Sequence, residues 1–389
     1  MTHPAVKLRF WGVRGSTPTV DPATSRYGGN TPCLEIQTPD GGRFILDCGT
    51  GLRMLGNSWP GPDATAEHGT HIFVTHYHWD HIQGLPFFAP LYIETNTFHF
   101  YSFRSKFLGR NSLRQVFETQ MELPYFPVDL SAMSAKRIFR EVTGGESYYL
   151  PGAKITARWL HHPQGCLGYR FETSAGTIVY ATDNEPGNRE LDASLRELAA
   201  GADIFINDAQ YSPEQLASTR RGWGHSSWLE GVRIAQEVGV KTLVLFHHDP
   251  DSTDRVVDGL LRRARDAYES VFAASEGMTV TLAPGAAQRV EVELPGSRTA
   301  PRREMRLRAC VSGTTDDGQS FVEETVVRDL SLQGALMNLR HSPRLQSELQ
   351  LTMEAPGANS ANSMKLHGYV VRIDTEAEGR SVVGVVFTD

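Results

Sequence analysis

A cluster of histidine and aspartate directly after an apolar segment constrains this chain more than any other feature. Residues 75–81 read Thr-His-Tyr-His-Trp-Asp-His and follow Ile-Phe-Val at 72–74. The apolar segment is typical of a buried strand, which would deliver the cluster to the edge of a sheet. Imidazole nitrogens together with a carboxylate oxygen suit Zn²⁺ or a similar borderline divalent ion better than Mg²⁺ or Ca²⁺. The segment therefore predicts a metal site rather than a solvated histidine-rich loop.

The spacing within this segment indicates more than one ion. In an extended chain alternate residues point the same way, so His76 and His78 are predicted to share one metal ion. Asp80 and His81 would then turn towards a second ion. Further strand-like segments also end near aspartate or histidine residues, which are Asp47, His162, Asp183 and His247.

These segments, taken in order over residues 1–293, resemble the metallo-β-lactamase superfamily. The resemblance implies an α/β fold, namely an αββα sandwich, in the first 293 residues. It also implies two divalent metal ions, which are most simply Zn with Mn or Fe as alternatives. The implied ligands are His76, His78, His162 and Asp183 for one ion, and Asp80, His81, Asp183 and His247 for the other. Asp47 would support the metal-binding loop through hydrogen bonds.

Two of these ligand assignments stay open at the level of sequence. His162 and His247 each have a neighbouring histidine, so His161 or His248 could be the ligand instead. His162 is preferred because it directly precedes a proline, as in the superfamily, and His247 because it comes first after its strand.

Three glycine-rich segments resemble the phosphodiesterase branch of the superfamily, which includes ribonuclease Z-like and cyclic-phosphate hydrolases. They lie at residues 10–18, 27–31 and 222–227. By this resemblance His225 would donate a proton to the leaving-group oxygen or contact a phosphate, with a purely capping role as the alternative. Asp80 and Asp183 would orient the attacking water. Arg14 and Asn30 are equally well explained as phosphate contacts and as turn stabilisers.

The character of the chain changes after residue 293. Residues 294–301 have the Pro and Gly content of a linker. Two short motifs in residues 302–389 resemble those of the PilZ domain, a small β-barrel that binds cyclic di-GMP. The first motif contains arginines at 302–306, and the second contains an aspartate, a serine and a glycine at 329–334. The residues implied to bind this ligand are Arg302, Arg303, Arg306, Asp329, Ser331 and Gly334. Arginine forks suit guanine edges and phosphates, while a barrel that only docks a partner is the alternative.

Composition limits the choice of substrate and location. The formal net charge is −7, which favours a small phosphodiester over a long polyanion and makes nucleic acid an unexpected partner. The four cysteines are scattered, no signal segment is evident and no apolar run approaches the roughly 20 residues of a membrane span. We therefore expect a cytoplasmic protein without membrane insertion, and a homodimer stays open.

Together these features predict a dinuclear metal-dependent phosphodiesterase that hydrolyses a small phosphodiester, with a cyclic nucleotide as the first choice. Cyclic di-GMP on the PilZ domain would regulate it. The alternatives are a ribonuclease, a thiolester hydrolase and a cyclic di-GMP effector without catalytic activity.

Overall fold

The computed structural model describes residues 5–59, 69–284, 289–294, 303–331, 334–354, 363–375 and 380–388. The chain divides into two compact units, Met1–Val292 and Glu293–Asp389. None of the helices within these ranges has the length and apolar character needed to cross a bilayer.

The first part of the chain alternates strands and helices. Its strands are β1 Val6–Gly12, β2 Cys33–Gln37, β3 Arg43–Leu46, β4 Thr70–Phe73, β5 Thr97–Phe103, β6 Lys136–Val142, β7 Ser147–Leu150, β8 Ala153–Leu160, β9 Cys166–Glu172, β10 Thr177–Ala181, β11 Ile204–Asp208, β12 Thr242–Phe246, β13 Val271–Ala273, β14 Thr279–Ala283 and β15 Arg289–Glu293. Its α-helices are α1 Gly51–Asn57, α2 Trp79–Ile82, α3 Ser112–Gln120, α4 Arg189–Ala199, α5 Pro213–Ser218, α6 Trp228–Val238 and α7 Asp254–Ala267. Short 3-10 helices lie at Pro22–Thr24, Leu85–Phe87, Ala89–Tyr92 and Leu130–Ala132.

Two sheets lie at the centre of this unit. The first has the order β15-β14-β1-β2-β3-β4-β5-β6, and the second has the order β13-β12-β11-β10-β9-β8-β7. Aromatic side chains join their inner faces, as Phe44 and Phe73 of the first sheet lie 5.4 and 5.6 Å from Phe171 of the second, between ring centroids. This burial of large rings provides the hydrophobic stabilisation between the layers.

Helices cover the outer face of each sheet. Leu52 of α1 and Phe117 of α3 belong to a buried cluster on the first sheet. Leu198 of α4, Val232 of α6 and Leu261 of α7 belong to a second cluster on the other sheet. The four layers are helix, sheet, sheet and helix, so the predicted αββα class is confirmed.

The sequence predicts a helix over residues 228–238, and the structure forms it as α6. The two ends of the helix show why. Ser227 accepts a hydrogen bond from the Glu230 amide at the first turn, and Gly239 closes the helix at φ +70°. The sequence also predicts a helix over residues 254–275, and this prediction is wrong in its second half, because the helix that forms, α7, is shorter. It ends at Ala267, Tyr268 is extended, and residues 271–273 form β13, which pairs in parallel with β12. Residues 271–273 therefore follow the tertiary context, which is strand pairing with β12, and not their local helical pattern.

By the sequence resemblance, residues 98–149 lie where the superfamily carries a substrate-facing insertion, yet this segment begins with a strand of the core. β5 pairs in parallel with both β4 and β6. Phe98 and Phe100 are fully buried on it, whereas Phe107 and Tyr125 in the following loops are exposed.

The second unit contains a closed barrel with the order β16-β17-β18-β21-β20-β19. Its strands are β16 Arg303–Thr314, β17 Ser320–Ser331, β18 Gly334–Leu339, β19 Glu348–Glu354, β20 Ser363–Thr375 and β21 Ser381–Phe387. Closure leaves no free sheet edge and encloses an apolar core that includes Val311, Met337 and Val385. The predicted C-terminal PilZ-like barrel is confirmed.

Candidate metal centre

The histidine-rich segment leaves β4 at the carboxyl edge of the first sheet. Residues 74–78 are irregular, and 79–82 then form the short helix α2 instead of continuing as an extended chain. This turn directs Asp80 and His81 inwards, and both are buried. Three further strands, β10, β11 and β12, end at the same site and deliver side chains from the second sheet. A centre between the two sheets results.

One group of three histidines could hold a metal ion. Ligand nitrogens of His76, His78 and His162 lie within 4.8 Å of one another. His162 Nε2 is 3.1 Å from His78 Nδ1. His76 Nε2 is buried and has no hydrogen-bond partner among the described residues, as expected for a metal-ligand atom. Burial lowers the pKa of His76 well below its usual value and that of His162 to about 4, so both favour the neutral form that binds metals.

A second group lies beside the first. Asp80, His81 and His247 present ligand atoms within 4.8 Å of one another. Asp80 Oδ2 lies 3.2 Å from His81 Nε2 and 3.2 Å from His247 Nε2. Two nitrogens and one anionic oxygen again form a ligand set for a borderline divalent ion.

Asp183 lies between the two groups and faces both. Its Oδ1 is 3.7 Å from His76 Nε2 and 3.9 Å from His162 Nε2. Its Oδ2 is 3.3 Å from His81 Nε2 and 3.3 Å from His247 Nε2. One carboxylate with an oxygen turned to each group fits a pair of neighbouring ions, and the donor set suits the metal chemistry predicted from the sequence.

Neighbouring histidines do not join either group. His161 Nδ1 donates to the Glu185 carbonyl at 2.7 Å, and His248 Nε2 donates to the Ala274 carbonyl at 2.9 Å. Burial lowers the pKa of His248 to about 3. The structure thus brings His162 and His247 into the centre and turns His161 and His248 away.

Hydrogen bonds to the far ring nitrogens hold the ligands in place. Asp47 Oδ2 accepts from His81 Nδ1 at 2.8 Å, and Asp47 Oδ1 accepts from the Thr75 amide at 2.8 Å. The Gly224 carbonyl accepts from His162 Nδ1 at 2.7 Å, and Gln210 Oε1 accepts from His247 Nδ1 at 2.9 Å. With Nδ1 as the donor, Nε2 keeps its lone pair for a metal ion. Asp47 therefore lies where its supporting role was expected.

His225 lies at the start of the turn before α6 and points into the centre. Its Nδ1 donates to Asp208 Oδ2 at 2.8 Å and lies 3.6 Å from Asp183 Oδ1. Burial opposes the charged imidazole, yet Asp208 and Asp183 raise the pKa of His225 to about 9. The two carboxylates therefore favour the protonated form of His225.

Two further residues of the site, Asp208 and Glu185, were not predicted from the sequence. Asp208 ends β11 at the same sheet edge as the ligands and accepts hydrogen bonds from the amides of Asp183, Gln210 and Ser226 besides the His225 ring. Glu185 accepts from the amides of Gly222 and Gly224, each at 2.7 Å. The apolar strand that ends at Asp208 could have indicated that Asp208 belongs to the site. No sequence pattern around Glu185 indicates its role.

Arg14 and Asn30 stabilise turns. Arg14 is fully buried, and its guanidinium donates to the carbonyls of Gly28, Asp249 and Ser252 at 2.7 to 3.0 Å. Asn30 Nδ2 donates to Glu276 Oε2 at 3.0 Å. Neither side chain lines the pocket over the centre.

A pocket of about 440 Å³ opens over the two ligand groups. Its lining includes Asp80, Asp183 and His225, together with Ser16, Tyr77, His78, Trp79 and Gln164. Predicted metal ligands and the predicted proton donor therefore share one pocket.

In the barrel, the residues expected to bind cyclic di-GMP are only partly described. Arg302 lies outside the described residues, as do the side chains of Arg303, Arg306 and Ser331. Asp329 on β17 lines a cavity of about 910 Å³ together with Arg328, Arg340 and Arg380. Gly334 begins β18, opposite Ser331 of β17.

Comparison with known families gives two matches. Residues 42–248 match the β-lactamase superfamily domain, and residues 297–389 match the PilZ domain.

Similar proteins are curated as ribonucleases. Ribonuclease BN of Erwinia tasmaniensis is 23% identical over 296 residues, which cover 62% of this chain and 88% of that protein. Ribonuclease Z of Haloarcula marismortui is 24% identical over 323 residues, which cover 70% and 96%.

Solved structures share the fold. The metallo-β-lactamase fold protein YhfI of Bacillus subtilis superposes with a TM-score of 0.53 at 20% identity, over 72% of this chain and 99% of that one. The short form of human tRNase Z gives 0.50 at 18% identity, over 70% and 98%.

These matches confirm the prediction of a metal-dependent hydrolase of the phosphodiesterase kind. The chain belongs to the metallo-β-lactamase superfamily and carries a C-terminal PilZ domain.

Proposed function

We propose that this protein is a dinuclear metal-dependent phosphodiesterase that hydrolyses a small phosphodiester, with a cyclic nucleotide as the first candidate. The observation that carries the proposal is the position of Asp183, whose two oxygens face two separate ligand groups. One ion would be held by His76, His78, His162 and Asp183, and the other by Asp80, His81, His247 and Asp183. Zn is the expected metal, with Mn and Fe as alternatives.

The residues of the chain divide the chemical work. A pair of divalent ions, when bound, supplies positive charge to phosphoryl oxygens and lowers the pKa of water to about 7. Asp80 and Asp183 orient the attacking water through their carboxylates. His225, held by Asp208 at 2.8 Å, keeps a proton beside the pocket and donates it to the departing oxygen.

The size and charge of the site support a small substrate. A pocket of about 440 Å³ lies at the lower end of the range for small-molecule sites, which is roughly 300–1,000 Å³. The net charge of −7 opposes the close approach of a long polyanion.

A ribonuclease is the second candidate. The similar proteins named ribonuclease BN and ribonuclease Z favour it. Three exposed cations in the segment after β5, Arg104, Lys106 and Arg110, also favour contact with a phosphate chain.

Cyclic di-GMP is proposed as the regulator that binds the PilZ domain. The family match and the arginine-lined cavity beside Asp329 support this role. Arg302, Arg303, Arg306, Ser331 and Gly334 complete the proposed binding set. We propose the division into hydrolase residues 1–293, linker 294–301 and PilZ residues 302–389.

The cytoplasm is the proposed location, because all four cysteines are free thiols. A homodimer is a further proposal, which light scattering of the purified chain would test.

A turnover screen tests the proposed function. The protein would be loaded with Zn²⁺ or Mn²⁺ and assayed against cyclic mononucleotides, cyclic dinucleotides, a linear nitrophenyl diester, a structured RNA and a thiolester. Turnover of a cyclic mononucleotide above the other substrates is expected. Preference for RNA would favour the ribonuclease, preference for the thiolester would exclude the phosphodiesterase, and no turnover together with cyclic di-GMP binding would favour a non-catalytic effector.

A further inference from the structure

We propose that an apolar slot beside the metal pocket binds the nucleobase of the substrate, on the nucleoside that stays attached to phosphorus. This inference rests on the proposed phosphodiesterase function. The slot has a volume of about 270 Å³ and lies against His76 and His78. Its other lining residues are Tyr77, Phe103, Ser105, Phe107, Leu108, Gln164 and Gly165.

The inner wall of the slot is a fixed aromatic surface. Phe103 is buried, and its ring packs edge-on to Trp159 at 5.2 Å and against Tyr77 at 4.9 Å. The Tyr77 hydroxyl donates to the Phe103 carbonyl, which holds the two residues together. A rigid wall of this kind is preorganised for a flat ring.

The outer wall is an exposed phenylalanine. The Phe107 side chain is 64% exposed, although it is large and apolar. Lys106 Nζ lies 5.0 Å from the centre of its ring and occupies one face. A base in the slot would cover part of the ring, and base–aromatic stacking tolerates any base because each has a π face.

The connection between slot and metal pocket sets the orientation of the substrate. Tyr77, His78 and Gln164 line both cavities, whereas Asp183 and His225 line only the metal pocket. A group that departs beside His225 therefore lies outside the slot. The nucleoside that remains bound to phosphorus is the one that can reach the slot.

Exposed cations lie next to the lining residues of the slot along the chain. Arg104, Lys106 and Arg110 are exposed and form no ion pair within the described ranges of the chain. Their charges attract an anionic nucleotide to this side of the site in spite of the acidic chain as a whole. Apolar walls, exposed cations on neighbouring residues of the chain and adjacency to the metal ligands together match a nucleotide and not a plain dialkyl phosphate.

Substitution at Phe107 tests the slot. The p-nitrophenyl esters of AMP and UMP would be compared with methyl p-nitrophenyl phosphate, which has the same leaving group and no base. In Phe107→Ala we expect KM for the nucleotide esters to rise roughly tenfold, which corresponds to about 1.4 kcal/mol, within the range of a base–aromatic stack. The methyl ester should change little. Phe107→Tyr, which keeps a ring, should retain the low KM, and Tyr149→Ala removes an even more exposed aromatic (81%) that lines neither cavity.

Binding of AMP and UMP, measured by calorimetry on the intact Zn-loaded protein, separates failure of the slot from failure of the proposed function. Weaker binding in Phe107→Ala than in Tyr149→Ala supports the slot even if no ester is hydrolysed. Absence of binding to the wild type, or equal affinity in the two variants, overturns it. Hydrolysis of all three esters with no effect of Phe107→Ala would keep the phosphodiesterase and remove the nucleobase subsite.

Discussion

At the scale of single residues, the centre depends on side chains that use two different atoms. In the histidines one ring nitrogen forms a fixed hydrogen bond and the other faces the centre. The imidazoles of His81, His162 and His247 donate through Nδ1 to a fixed acceptor and present Nε2 to the centre. Asp183 presents one oxygen to each ligand group. Each such residue would therefore affect both the position and the charge of the centre when it is changed.

Asp183→Ala should remove most of the bound metal and most of the turnover, because both ions lose a shared ligand. The wild type should hold about two divalent ions per chain, which elemental analysis of the purified protein would measure. Asp40→Ala, which changes an exposed aspartate in a turn, is the matched control. Retention of two ions and full activity in Asp183→Ala would contradict the two-metal proposal.

His225→Ala should keep its metal content and lose about 10²–10⁴-fold in rate on a substrate with a poor leaving group. The loss should be much smaller for a nitrophenolate, which departs without a proton. Asp208→Asn should show the same pattern as His225→Ala, with a larger loss of rate on the poor leaving group than on the nitrophenolate. The reason is that Asp208 holds the His225 ring. Equal losses on both leaving groups would reassign His225 to binding or to structure.

At the scale of elements, the loop before α6 is attached to the centre from two sides. Glu185 accepts from the amides of Gly222 and Gly224, while the Gly224 carbonyl holds His162. Gly224 has φ +87°, and a Cβ there would lie 2.3 Å from His162 Nδ1. Only glycine fits this position, so the loop can approach His162 closely and place His225 beside it, with ring centroids 5.5 Å apart.

Glu185→Ala should therefore act on catalysis although Glu185 is not a ligand. The buried Gly224 amide would lose its acceptor, at a cost of roughly 1–3 kcal/mol in the free energy of unfolding, whereas the exposed Gly222 can turn its amide to water. We also expect the rate ratio between good and poor leaving groups to move towards that of His225→Ala, which a purely structural role would not produce. Glu185→Gln, which keeps one acceptor oxygen, should be intermediate.

The control for this prediction is Glu197→Ala on α4, whose carboxylate is 63% exposed and pairs with Arg158. Glu197→Ala should leave the rate ratio between good and poor leaving groups unchanged. If Glu185→Ala lowered stability but left that ratio at the wild-type value, the positioning role would be excluded.

At the scale of the whole molecule, a hydrolase and a PilZ domain lie in one chain. Cyclic di-GMP can change turnover only if it binds the active and inactive arrangements with different affinity. Coupling energies of about 1–3 kcal/mol are typical and would change substrate affinity roughly 5–150-fold.

The double variant Arg302→Ala/Arg306→Ala should lose cyclic di-GMP binding and the response of turnover to this ligand, with basal turnover preserved. Calorimetry and kinetics on the intact chain would measure both. Arg308→Ala changes an exposed arginine on β16, the strand that also contains Arg306, and serves as the control. Tight binding without any kinetic effect would leave the PilZ domain as a localisation module, and absence of binding would remove cyclic di-GMP from the proposal.

The sequence alone was sufficient wherever the information is local. His76, His78, Asp80 and His81 are neighbours along the chain, so their spacing after a strand was enough to indicate metal binding. Helix α6 was likewise predictable, because its cap at Ser227 and its stop at Gly239 are written in adjacent residues. The two families were recognisable for the same reason, since their motifs are short and occur in order.

Only the tertiary structure decided what depends on contacts distant in sequence. The orientation of His162 towards the centre and of His161 away from it follows from the positions of Gly224 and Glu185, more than twenty residues further along the chain. The end of α7 at Ala267 follows from pairing of β13 with β12. The slot exists because Phe103 on β5 and Gln164 after β8 meet beside His78. A sequence pattern reports each element, but packing between the sheets determines which side chains share a site.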